Sequence, residues 1–82
     1  MDEPAARSAA EGAKASAGVP ADYRFESAQR RFIELAEGSA GAPSRVRDCL
    51  AWVVRYSGEM GGWRDLAIED ATGKVVRVQR SK

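Results

Sequence analysis

From Ser44 to Ser57 the apolar residues Val46, Cys49, Leu50, Val53, Val54 and Tyr56 fall, on a 3.6-residue wheel, within an arc of roughly 160°, wider than the ~100° stripe of a one-sided surface helix. The pattern predicts a central helix at about 45–57, touched by two neighbours, with Ser44 as N-cap and Gly58 as its left-handed stop. Ahead of it, Phe25, Ala28, Phe32, Ile33, Leu35 and Ala36 share a second wheel face, opposite Glu26, Arg30, Glu34 and Glu37. Glu26, Arg30 and Glu34 stand four apart, as weak helical ion pairs do. This predicts a helix at about 23–37 capped by Asp22; an alternative start makes Tyr23-Arg24-Phe25 a short strand and Ser27 the cap. The connection 38–44 has Gly38 as a stop and Pro43 just before the next cap, and lets the helices pack antiparallel.

After a glycine-rich bend at 58–62, the spacing changes to alternation. Residues 63–69 and 74–79 read as two strands joined by Asp70-Ala71-Thr72-Gly73, a type I turn closed by Gly73 in the left-handed region. That turn sets Asp70 opposite Lys74, Ile68 opposite Val76 and Leu66 opposite Val78. The register passes an independent check: Leu66, Ile68, Val76 and Val78 gather on one face, and Asp65, Ala67, Glu69, Val75, Arg77 and Gln79 on the other. The fold class expected is α+β, with two antiparallel helices packed on a C-terminal antiparallel β-hairpin. Residues 1–21, built from Ala, Ser, Gly, Glu and Pro and interrupted by Gly12 and Gly18, read as a disordered leader ahead of a domain at 22–82.

Composition narrows the chemistry. The 82 residues leave about 60 for a core, a marginal size that a dimer or partner would stabilise. Thirteen basic and 12 acidic side chains give a net charge of +1, so no polyelectrolyte partner is demanded. The longest apolar run, Cys49 to Val54, is far too short to span a membrane, and residues 1–21 lack the apolar segment of a secretion signal; a cytoplasmic location is the expectation. There is no histidine, which removes the commonest general base and metal ligand. Cys49, the single cysteine, sits on the apolar arc and reads as a buried structural thiol between the first helix and the hairpin. Asp65, Glu69 and Asp70 are explained by turn and strand chemistry, and Gly58, Gly61 and Gly62 do not form a phosphate-cradling loop. No catalysis, cofactor, metal or small-molecule substrate is expected.

Two binding classes remain. The preferred one is a small protein-interaction or regulatory module, with homodimerisation as one form of it, using Trp63, Val75, Arg77 and Trp52: Trp52 at the edge of the helix arc, Trp63 and Val75 on the outward face of the hairpin. The alternative is a nucleic-acid-binding domain in which Arg45, Arg47, Lys74, Arg77 and Arg80 contact phosphates. Against the alternative stand the near-neutral charge and the acidic residues Asp48, Glu69 and Asp70 beside the proposed contacts.

Overall fold

The computed structural model describes residues 1–37 and 45–81. Along the chain come α1 (Glu3–Ala13), β1 (Arg24–Glu37), β2 (Arg45–Ser57), β3 (Trp63–Glu69) and β4 (Val75–Arg80). The four strands form one antiparallel sheet in the order β1-β2-β3-β4. The expected pair of helices at 23–37 and 45–57 is therefore wrong. Both segments are long strands, paired from Arg24 opposite Ser57 to Glu37 opposite Arg45.

The physical reason lies in β2. Trp52, Val54 and Tyr56 face α1, while Cys49, Ala51 and Val53 pack on the other side of the sheet. A strand buried on both faces reads as a near-continuous apolar run, which a helical wheel spreads into a broad arc. Its Val, Trp and Tyr content also suits a pleated surface. In β1 the spacing of four that suggested helical ion pairs separates side chains by about 14 Å along a strand. Glu26 instead bulges out of the ladder between Phe25 and Ser27 and lies 3.9 Å from Arg55. The expected caps Gly38 and Ser44, and the connection between them, lie outside the described residues.

Residues 1–21 are not a disordered leader. Asp2 caps α1 by accepting from the Ala5 amide at 3.0 Å, and Pro4 occupies the first turn, where its missing N–H costs nothing. Ala6 and Ala10 are fully buried; Ala10, flanked by Ala9, Ala13 and Ala17, packs with Val19 on Val54, Tyr56, Leu66 and Ile68. Alanines bury little area of their own. They let the helix axis approach closely, and the burial gained belongs mainly to the large side chains of the sheet. Arg7 lies 3.7 Å from the Phe25 ring centre and Lys14 4.8 Å from that of Tyr56, so both cations roof the same aromatic layer.

The C-terminal hairpin keeps Gly73 in the left-handed region at φ +72°, but its loop is one residue longer than expected: the Gly73 amide donates to the Glu69 carbonyl and the Glu69 amide to the Lys74 carbonyl, each at 2.8 Å, so Lys74 stands opposite Glu69 and not Asp70. Leu66 faces Val78 and Ala67 faces Arg77 as the alternation predicts. Next to the loop the register differs too: Val76 is an extra residue, so Val75, not Val76, stands opposite Ile68. At the other end, Tyr23 lies against Gly58, where an added Cβ would stand 2.6 Å from its Cε1, which explains why the bend at 58–62 is rich in glycine.

On the face away from α1 a second cluster forms from Ile33, Cys49, Ala51, Val53 and Ala67, with Leu35 and Val76 against it. No element lies over this face among the described residues. The sheet covers it by coiling, which brings Ile33 of one edge strand into the same cluster as Val76 of the other and lets Arg77 Nη1 donate to the Glu34 carbonyl at 3.4 Å.

Candidate functional site at the edge of the first strand

β1 pairs along its whole length with β2, but β3 pairs with β2 only from Ala51 onward. The Asp70 amide, bonded to the Leu50 carbonyl at 3.0 Å, closes that ladder. Beyond it, residues 32–37 and 45–50 continue as a two-stranded ribbon. Such a ribbon is marginal in water unless something packs on it. One side is packed, through Ile33, Leu35 and Cys49. The other carries Phe32, 71% exposed, and Val46, 64% exposed.

On that exposed side the register sets Phe32 opposite Leu50, Glu34 opposite Asp48 and Ala36 opposite Val46. Two carboxylates thus face each other across the ladder, with no ion pair to either among the described residues, and directly opposed like charges are destabilising. One step back, Arg30 stands opposite Trp52, its guanidinium 6.0 Å from the ring centre. The outer edge of β1 is about 45 Å of backbone with no strand partner among the described residues. It contains no proline between Arg24 and Glu37; its guards are the Glu26 bulge at one end and the charges of Arg30 and Arg31.

On the coiled face Arg55 pairs with Asp65 and Arg47 with Glu69. Arg55 holds Asp65 with Nε at 2.7 Å and Nη2 at 2.9 Å, and Asp65 is 6% exposed. Ser27, Gln29, Arg31 and Val53 join that pair around a hollow of about 150 Å³. Arg47 lies 3.6 Å from Glu69. The Glu69 carboxyl is held below its ordinary value, first by the Thr72 hydroxyl at 2.6 Å and then by the Cys49 thiol at 3.5 Å. Burial, and next the neighbouring Glu69, push the Cys49 thiol up, so the sulfur is a protonated donor and a poor nucleophile. Cys49 is buried as expected, but on the face away from α1 and not between a helix and the hairpin.

The residues singled out from sequence do not form one patch. Trp63 and Arg77 lie on the coiled face, Trp63 with the Arg55 guanidinium 4.3 Å from its ring centre. Val75 is on the opposite side, because the extra residue Val76 reverses its direction; with Ala13, Ser16, Ala17 and Val78 it lines an apolar hollow of about 170 Å³. Trp52 is on the α1 side, where its indole donates to Asp70 Oδ1 at 3.0 Å and to the Met1 carbonyl at 3.3 Å. Of the basic set, Arg47 and Arg77 share the coiled face, Lys74 is exposed beside the turn, Arg80 lies opposite Arg64 on the α1 side, and the Arg45 side chain is outside the described residues. Sequence reasoning missed Arg30, Phe32 and Glu34 as a surface unit, because a helical wheel assigns Phe32 to a buried face. Among the described residues no group of three or more His, Cys, Asp or Glu side chains is placed to hold a metal ion, and no helix is long and apolar enough to cross a membrane.

No protein-family model, curated protein or solved structure matches this chain.

Proposed function

We propose that this protein is a small non-enzymatic interaction module that binds by accepting a strand along the free edge of β1, from a protein partner or from a second copy of itself. The observation that carries the reading is the exposed Phe32 on a two-stranded ribbon, next to a 14-residue edge that has no strand partner among the described residues. Main-chain hydrogen bonds to such an edge supply affinity, and alternate side chains supply selectivity. Phe32 is an aromatic anchor of the kind enriched at the centres of interfaces. The ribbon gains from being covered, since α1 reaches only the sheet beyond it.

The test is selection of peptides from a random library on the immobilised protein, followed by amide hydrogen exchange of the complexes. Bound peptides should protect alternate amides of β1, and Phe32→Lys should lose them while its melting temperature stays within about 2 °C of wild type, as for a surface substitution. Peptides that protect a different element, or a library that yields none, would overturn the reading.

A further inference from the structure

We infer that the occupant of the β1 edge is a second copy of the chain, paired antiparallel with β1 about a two-fold axis through Phe32. The inference rests on the edge-binding reading and adds partner and register to it. A two-fold that makes neighbouring strands antiparallel stands perpendicular to the sheet, so side chains on the α1 side of one copy meet those on the α1 side of the other, and the axis passes through a residue. The charges along β1 then discriminate among the axes. An axis on Arg30, Arg31 or Glu34 sets each of those charges against its own copy. With an axis on Ile33, Glu34 faces Phe32 and Arg30 faces Ala36, leaving both charges unmatched. With Phe32 on the axis, Arg30 of each copy faces Glu34 of the other and the two Phe32 rings meet.

The second observation is the opposed pair Glu34 and Asp48, which the isolated chain leaves side by side. In the Phe32-centred register the row across the sheet becomes Trp52, Arg30, then Glu34 and Asp48 of the other copy, repeated by symmetry. A cation enters beside each acidic pair. The exposed Phe32, the acidic pair and the neighbouring Arg30 are thereby satisfied by one operation, which yields a continuous eight-stranded sheet with both α1 helices on the same side. The Arg77 contact to the Glu34 carbonyl comes from the opposite face, and a carbonyl oxygen has a second lone pair for a neighbouring amide.

Charge exchange tests the register. Sedimentation of the full chain from ~1 µM to ~1 mM should show a monomer–dimer equilibrium. Arg30→Glu alone and Glu34→Arg alone should each weaken it by tenfold or more, since two attractions become two repulsions. Mixing these two variants should restore dimers as heterodimers, and the double variant Arg30→Glu/Glu34→Arg should dimerise like wild type; circular dichroism checks that each is folded. Dimers indifferent to these changes, or single variants that do not rescue each other, would overturn the register. A wild-type chain that stays monomeric while selected peptides still protect β1 would remove self-pairing and leave the edge reading standing; absence of both would remove both.

Discussion

Tyr56 is the group whose titration should be most visible in the stability of the fold, because its ring is fully buried under α1 and its hydroxyl donates to Glu11 Oε1 of that helix at 3.1 Å. Burial first, and then the acidic acceptor, push its pKa from 10.0 to about 12. In the unfolded chain the phenol ionises near pH 10, whereas the native phenol keeps its proton until about 12. Between those values the native state holds more protons than the unfolded state, so stability falls as pH rises. The contribution is intact below pH ~10. At ~1.4 kcal/mol per pH unit, about 1.4 kcal/mol is lost by pH ~11 and about 3 kcal/mol once the native phenol ionises. Tyr56→Phe should cost about 1 kcal/mol at neutral pH, the net worth of one hydrogen bond, and should be blind to this titration. Urea unfolding of both proteins in steps from pH ~8 to ~11.5 cancels whatever the two have in common and leaves the Tyr56 phenol. The two stability curves should approach each other and cross near pH 11. Curves that stay parallel throughout would refute the burial of Tyr56 beneath an ordered α1.

Asp65→Asn should cost about 2 kcal/mol in denaturant unfolding, less than for a fully buried pair because Arg55 is partly solvated and keeps Glu26 at 3.9 Å; a loss under ~0.5 kcal/mol would mean that the bidentate contact is idle. Gly58→Ala should lower stability by about 1–3 kcal/mol, since its Cβ would stand 2.6 Å from Tyr23 Cε1 and force the ring out of place; a neutral result would place Tyr23 elsewhere. The Cys49 thiol should resist a thiol reagent in the native protein at pH ~8 and react on unfolding, because it is buried and its pKa is raised; rates equal in the two states would contradict its position.

The hairpin was legible in the sequence because two local signals agree there: alternation of Leu66 and Ile68 with Asp65 and Ala67, and an Asp-x-x-Gly turn that needs positive φ at Gly73. β2 was hidden by its own burial. When both faces of a strand are apolar, alternation disappears and a wheel finds a helix. β1 was hidden by the bulge at Glu26, which breaks the period of two, and by charges four apart that imitate helical pairing. For α1 the signal was present and its weight misjudged. Asp2 and Pro4 form a start signature, and Ala6, Ala10, Ala13 and Ala17 repeat at helical spacing, but the apolar area that pays for ordering them is supplied by Tyr56, Leu66 and Ile68, distant in sequence. The same non-locality conceals the edge site: Arg30, Phe32 and Glu34 become a surface unit only once β1 is known to be a strand with one free side.

Disulfide trapping tests the paired edge most directly. In a Cys49→Ala background, Phe32→Cys places the two thiols on the symmetry axis, where opposed residues of antiparallel strands have Cα atoms about 4.5–5.5 Å apart, within disulfide reach. Glu34→Cys places them four residues apart along the strand, about 14 Å, which is out of reach. Under mild oxidation at dimer-forming concentration, Phe32→Cys should become a covalent dimer and Glu34→Cys should not. Equal cross-linking of the two, preference for Glu34→Cys, or no cross-linking at Phe32→Cys would contradict the pairing.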